Sequence, residues 1–275
     1  MNSCFRQYFI KNGMVISQSI FKLPINFDSC IYEVIRIING VPLFLEDHIN
    51  RFEASIKLKN IPYSFETIKS DIKLLLANNL YVDGNIKIEL YVNKNELNLF
   101  SYYIEHHYPS DFEYKNGVQL KSIIAERSIP NVKIVHNSIK LRVDKILEDK
   151  SLYEVLLVNN QDLITEGSRS NIYFLKLNKI YTAPGNLVLM GITRKYVLKV
   201  IQSLNLEIVE EPVLFNDIGS FDGAFLSGTS PKILPINKID EYRFNTKLNI
   251  YSLIYDRYAQ IIKEYIEQHK LNSNL

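Results

Sequence analysis

Thr165-Glu166-Gly167-Ser168-Arg169-Ser170-Asn171-Ile172-Tyr173-Phe174 is the stretch on which the reading of this chain turns. From Asn171 it becomes an apolar strand that runs to 176, and residues 153–158 form a second strand ahead of it. Between them stands the polar run over residues 165–170, whose one acid is Glu166 and which by itself reads as a surface turn with a solvated carboxylate. Upstream, residues 118–125 make a strand and the chain reaches Pro130-Asn131-Val132-Lys133. Residues 136–150 then repeat apolar positions at helical spacing, with Ile139, Val143, Ile146 and Leu147 on one face. Downstream, Gly191-Ile192-Thr193 leads into a helix that carries Val197, Leu198, Ile201 and Leu204 inward, so Thr193 sits at its N-terminus. The chain closes on a long amphipathic helix with Ile250, Ile254, Tyr258, Ile261 and Tyr265 in one stripe.

The first half mixes the two periodicities differently. Cys30-Ile31-Tyr32-Glu33-Val34-Ile35-Arg36-Ile37-Ile38 alternates loosely, Asn39-Gly40 makes a turn, and an apolar run resumes at Val41, which is a hairpin pattern. A helix follows with Asp47 as its expected N-cap and Ile49, Phe52 and Ile56 on its buried face. Residues 67–76 predict a second helix, and 85–92 and 96–104 predict paired strands joined at Asn93-Lys94-Asn95. The polar, turn-rich stretch around 107–117 marks the expected boundary. The chain is therefore expected to be α/β, with an α+β N-terminal domain over 1–115 and an α/β C-terminal domain over 116–275 that carries Lys133.

Composition narrows the class. The 275 residues are 47% apolar and 23% charged, enough to bury one large core or two moderate ones. Thirty-two basic and 30 acidic residues spread along the chain leave a net charge of +2 and no basic stripe, so nucleic acid is not an expected partner. No apolar run approaches the roughly 20 residues of a membrane span, and the start lacks a signal-peptide core, so a soluble, cytoplasmic protein is expected. Cys4 and Cys30 are read as reduced thiols. His48, His106, His107, His136 and His269 have no metal-ligand spacing, and no metal site is expected. There is no GxGxxG or Walker-type loop. Ser168 and Ser170 have no base visible in the sequence, so a role toward a cofactor is the better reading of both.

Three further segments carry hydrogen-bonding or charged groups in an informative order: His48-Ile49-Asn50-Arg51-Phe52, Gly191-Ile192-Thr193-Arg194, and Ser227-Gly228-Thr229-Ser230-Pro231. With Thr165–Phe174 and an upstream lysine, this order resembles the class IV aminotransferases, which include branched-chain and D-amino-acid aminotransferases and aminodeoxychorismate lyase. The resemblance extends from about Tyr32 to about Ile236. It implies the fold-type IV, D-amino-acid-aminotransferase-like architecture, pyridoxal 5'-phosphate (PLP) in the interdomain cleft, and a homodimer.

The resemblance also implies roles. Glu166 would face the pyridine nitrogen and favour its protonated form, which makes the ring an electron sink. Lys133 and Lys140 both precede it. The family's separation matches Lys133, which also lies ahead of the helix, whereas Lys140 lies within the helical pattern, so Lys133 is the Schiff-base lysine. Arg51, Ile192, Thr193 and Thr229 would hold the phosphate through a guanidinium, helix N-terminal amides and hydroxyls, with Ser170 also serving the cofactor. On the substrate side Tyr32 is either a substrate-facing or a packed strand tyrosine, Ser230 belongs to a carboxylate-gripping turn, and Arg169 either contacts substrate or braces the loop. The chain departs from D-amino-acid enzymes in having no arginine between Arg51 and Arg127, and from branched-chain enzymes in having Ser138 where they place a tyrosine. The expected activity is amino transfer between a small amino acid and a 2-keto acid. The alternatives are aminodeoxychorismate lyase and a PLP-binding protein with little turnover.

Overall fold

The computed structural model describes residues 4–63, 66–94 and 96–272, so Asn95 of the expected 93–95 turn lies outside the described residues. The chain divides into two compact units. The first takes its residues up to 107 and also 132–135 and those from 262 onward; the second takes 108–131 and 136–261. Lys133 thus belongs to the first unit, not to the unit built from most of the chain after 115.

The first unit contains β1 (Tyr8–Lys11), β2 (Met14–Ser17), β3 (Ser29–Ile38), β4 (Val41–Pro42), α1 (Leu45–Leu58), α2 (Glu66–Asn78), β5 (Gly84–Asn93) and β6 (Glu96–Ile104). The strands form one antiparallel sheet in the order β2-β1-β6-β5-β3-β4. Alternation along the strands sorts the sheet into two faces. Ile31, Ile35, Ile37, Ile86, Ile88 and Leu90 pack with Ile49, Phe52 and Ile56 of α1 and Ile68, Ile72 and Leu75 of α2. Each of these apolar side chains contributes about 1.5–3 kcal/mol on full burial. The opposite face holds Cys30, Tyr91, Phe100 and Tyr102 with Cys4 and Phe9; both cysteines are buried and unbridged.

Asp47 is not the N-cap of α1. The helix starts at Leu45 after Phe44, which takes a left-handed conformation (φ 52°) and offers no side-chain cap. Its first amide is satisfied from far along the chain: the Leu45 N–H donates to the Tyr265 hydroxyl at 3.1 Å, and that hydroxyl donates to Glu46 at 2.9 Å. Asp47 lies in the first turn, where a negative charge suits the positive end of the helix.

The second unit contains α3 (Asp111–Asn116), β7 (Val118–Ile124), α4 (Asn137–Ile146), β8 (Leu152–Val158), β9 (Leu163–Gly167), β10 (Asn171–Lys176), β11 (Lys179–Tyr181), α5 (Ile192–Ser203), β12 (Glu207–Val209), β13 (Val213–Leu214), β14 (Gly223–Gly228), β15 (Lys232–Ile239) and β16 (Tyr242–Arg243). Its ten-stranded mixed sheet runs β12-β11-β10-β14-β15-β7-β8-β9-β13, with β16 on β15. The expected α/β architecture is the observed one. Three amphipathic helices differ from expectation. On α4 only Val143 is buried, and the helix is shorter than expected. On α6 (Asn249–Asn272) Ile254 and Tyr258 are buried as expected, but Tyr251, Ile262 and Ile266 complete the buried stripe in place of Ile250, Ile261 and Tyr265, which are half-buried. On α5, Val200 is buried while Leu198 and Leu204 are half-buried. Among the described residues no helix is long and apolar enough to cross a membrane.

Candidate active site

In the second unit the site is built around Glu166, near the end of β9 and 3% exposed. Its Oε1 lies 2.8 Å from Arg127 Nε, and its Oε2 accepts the Leu189 N–H at 3.1 Å. Arg127 also donates to the Ser168 carbonyl at 2.8 Å, so the guanidinium ties the carboxylate to the loop that follows it. A carboxylate this buried needs a charged or hydrogen-bonding partner to stay ionised, and here it has both.

The polar run after Glu166 is braced from beneath by Glu154, a buried acid in the middle of the apolar strand β8. The Arg169 N–H (2.5 Å) and the Ser168 hydroxyl (3.4 Å) donate to its Oε1, and the Ser170 hydroxyl donates to its Oε2 at 2.9 Å. Gly167 is required at this fold-back: a Cβ there would stand 2.4 Å from Ser170 Oγ and 2.7 Å from Glu154 Oε1. Ser170 therefore spends its hydroxyl proton on the protein. Arg169 has an exposed side chain that reaches the Tyr153 carbonyl at 3.4 Å, which is a loop contact.

Leu189 connects Glu166 to the helix that follows. Its N–H goes to Glu166, and its carbonyl accepts from Asn171 Nδ2 at 2.9 Å. Two residues later Gly191 is the N-cap of α5 and makes no side-chain cap; a Cβ on it would come within 2.4 Å of Asn171 Oδ1. Ile192 and Thr193 are buried in the first turn, so backbone donors and a hydroxyl stand together at the positive end of a helix. Arg194, next in the chain, is wholly buried and structural: it donates to Thr182 Oγ1 at 2.7 Å and to the Ala183 carbonyl at 2.9 Å. Thr229 and Ser230 are half-buried in the turn joining β14 to β15. The Gly228 backbone before them packs close to Ser170, whose Cβ is 3.5 Å from where a Gly228 Cβ would be.

In the first unit, residues 132–135 run beside β3. Ile134 bridges Ile31, the Tyr32 N–H donates to the Lys133 carbonyl at 3.0 Å, and the Val135 N–H donates to the Cys30 carbonyl at 3.1 Å. This pairing fixes the Lys133 backbone and sets its ammonium 4.7 Å from the centre of the Tyr32 ring. Lys140, by contrast, is exposed on α4 and pairs with Asp144 one turn on. Arg51 of α1 is held in a bidentate grip by Glu33, with Nε and Nη2 each 2.7 Å from a carboxylate oxygen. His48 Nδ1 lies 2.8 Å from Glu33 Oε2. Burial pushes the Glu33 carboxyl up, but the Arg51 charge and the His48 hydrogen bond outweigh it and hold the group well below the usual carboxylate range. Burial also pushes His48 down, assisted by the charges of Arg51 and Lys133 and opposed by Glu33. A neutral His48 facing an acceptor-only carboxylate carries its proton on Nδ1. Arg51 is thus a positioned cation.

The donor set suits PLP. Glu166 is a buried, partnered carboxylate for a protonated ring nitrogen. The first turn of α5 has an uncapped N-terminus and a hydroxyl for a phosphate, and Lys133 is a half-buried amine on a fixed backbone. Sequence reasoning missed Glu154 and Arg127. The first had a signal, an acid inside an otherwise apolar strand; the second, in a loop, had none.

A mixed α/β chain with these groups has the form of a fold-type IV PLP enzyme. Residues 30–239 match the family described as Amino-transferase class IV, and the chain belongs to that family as a PLP-dependent transaminase. It is 28% identical over 253 residues to the D-alanine aminotransferase of Bacillus licheniformis, covering 83% of this chain and 87% of that protein. It is 26% identical over 230 residues to a probable branched-chain-amino-acid aminotransferase of Rickettsia bellii, covering 78% and 80%. Its fold is similar to that of the T.th. branched-chain amino acid aminotransferase solved with pyridoxamine 5'-phosphate, at a TM-score of 0.83 and 19% identity over 96% of both chains. The Escherichia coli branched-chain enzyme gives a TM-score of 0.82 at 17% identity, covering 94% of this chain and 95% of that one.

Proposed function

We propose that this chain transfers an amino group between a small amino acid and a 2-keto acid, with Lys133 as the Schiff-base lysine and Glu166 facing the ring nitrogen. Arg51, Ile192, Thr193 and Thr229 hold the phosphate, and Tyr32 and Ser230 face the substrate. Arg169 and Ser170 are kept in this reading as supports of the loop behind the cofactor. The observation that carries it is the run Glu166–Leu189–Gly191–Thr193, in which one hydrogen-bonded connection joins a buried carboxylate to an uncapped helix N-terminus. A ring with a basic nitrogen and a phosphate needs that pair of sites.

When bound, PLP supplies an aldehyde that takes up the amino group and a ring that withdraws electrons from the donor's Cα. Glu166 keeps a proton on the ring nitrogen, and Arg127 and the Leu189 amide keep Glu166 ionised while it does so. Lys133, as a free amine on a fixed backbone, would take the proton from the donor's Cα and hold it for return. The Tyr32 ring limits where that amine can swing. A homodimer in the cytoplasm completes the reading; the two buried, unbridged cysteines agree with a reducing compartment.

The test is borohydride reduction of the purified protein with PLP, followed by peptide mapping. The expected result is a visible absorbance band that reduction abolishes, with the label on Lys133 and none in Lys133→Ala. Label on Lys140 would refute the lysine assignment, and the absence of any stable adduct would refute the proposal.

A further inference from the structure

The face of the first sheet that carries Tyr32 holds a buried lysine with no part in the reaction described above. Strand register puts Tyr32 opposite Glu89 and Val34 opposite Lys87, so Tyr32, Lys87 and Glu89 share one face. Lys87 is 9% exposed, and its ammonium contacts Glu89 Oε1. Glu89, 1% exposed, accepts the Tyr91 hydroxyl at 2.9 Å and the Tyr102 hydroxyl at 2.6 Å, both on Oε2. The two tyrosines thus fix one carboxylate oxygen and leave the other to the lysine. The Lys87 ammonium also lies 5.0 Å from the centre of the Tyr32 ring, the ring that Lys133 approaches to 4.7 Å. One tyrosine therefore stands against both ammonium groups.

Burying a Lys–Glu pair costs several kcal/mol per ion before the pair's attraction repays it, and an apolar pair of similar volume packs such a face as well or better. The neighbours here, Cys30, Phe100 and Tyr102, are already an apolar and aromatic cluster, so packing gives no reason for the charge. Lys87 is also the only basic residue within β5 and β6. A desolvated ammonium that shares a tyrosine ring with the proposed Schiff-base lysine is a receptor for an anion, and the anion every amino-acid donor carries is a carboxylate.

We propose that Lys87, anchored by Glu89 against the Tyr32 ring, binds a carboxylate of the amino donor and so favours donors that carry one. Glu89 is the positioning residue that holds the ammonium in place. The inference rests on Lys133 being the Schiff-base lysine.

The test compares the wild type with Lys87→Met, Lys87→Gln and Lys87→Arg, each first checked for borohydride label on Lys133. Loss of the visible band is followed with alanine, glutamate and 1-aminopropane, and the binding of propionate and glutarate to the holoenzymes is measured by calorimetry. The expected result for Lys87→Met is a tenfold or greater rise in KM for the carboxylate donors, weaker binding of the matching carboxylate, an unchanged rate with 1-aminopropane, and partial recovery in Lys87→Arg. Loss confined to glutamate and glutarate places the side-chain carboxylate at Lys87, and equal loss with alanine and propionate places the α-carboxylate there. If Lys87→Met does not fold, the same comparison on Lys87→Gln decides. An equal loss with 1-aminopropane, or no loss with any donor while Lys133 is still labelled, overturns this inference alone. A wild type without label on Lys133 overturns it together with the proposed function.

Discussion

Replacing Glu154 tests whether the loop behind Glu166 is held by one buried carboxylate. In Glu154→Gln the backbone N–H of Arg169 cannot turn away, so the amide oxygen should stay on it and the new NH2 should face Ser170, whose hydroxyl can rotate to accept. The Ser170 hydroxyl proton then loses its acceptor, and the change converts two charge-assisted bonds, at 2.5 Å and 2.9 Å, into neutral ones. Charge-assisted bonds contribute about 1.5–3 kcal/mol each and neutral ones about half that, so the loss should be about 2 kcal/mol. Glu154→Ala removes every acceptor and leaves a cavity, for a loss of about 4 kcal/mol. Urea unfolding should show a lower midpoint for Gln and a much lower one for Ala. Because the loop begins directly after Glu166, PLP affinity, read by titrating the visible band, should fall about tenfold in Glu154→Gln, the equivalent of about 1.4 kcal/mol. An Ala variant with the urea midpoint and PLP affinity of the wild type would refute the bracing role.

Asp71 gives a prediction of opposite sign. It is fully buried on α2, and burial raises its pKa from 3.8 to about 6, with the Gly13 backbone opposing. The folded state therefore binds this proton more tightly than the unfolded state. The stabilisation is complete below about pH 4 and is lost as pH rises through 6. Asp71→Asn should accordingly be more stable than the wild type by about 2–3 kcal/mol at pH 8, with the gap narrowing to about 1 kcal/mol near pH 4.5; an equal gap at both pH values in urea unfolding would count against this. Gly191→Ala should push the Asn171 amide off the Leu189 carbonyl, cost about 1–3 kcal/mol and weaken PLP binding. Combining it with Asn171→Ser, which shortens the obstructing side chain, should recover part of both losses, and strict additivity of the two changes would argue against the contact.

Much of this molecule is readable from local pattern. The β3–β4 hairpin follows from the Asn39-Gly40 turn, whose residues take φ of 52° and 75° as such a turn requires. The buried face of α1 and the β5–β6 pairing follow from the periods of helix and strand, which depend only on neighbours a few residues apart. Glu166 is legible because an acid followed by small, hydrogen-bonding residues at a strand end is a local arrangement. Local pattern therefore suffices for the set of elements, most of their buried faces and the residues with the chemistry to serve a cofactor. Packing settles how those residues are held. The α1 N-terminus is capped by Tyr265, more than two hundred residues away, rather than by the nearby Asp47. The buried stripe of α6 follows the surfaces it packs on, keeping Ile254 and Tyr258 but shifting by one residue at each end. Lys133 is fixed by pairing with β3, Glu154 reaches its loop across strand neighbours, and Arg127 meets Glu166 from a loop without periodicity. Those contacts join residues far apart in the chain, and a pattern of near neighbours holds no record of which distant segment will supply a missing hydrogen bond or charge.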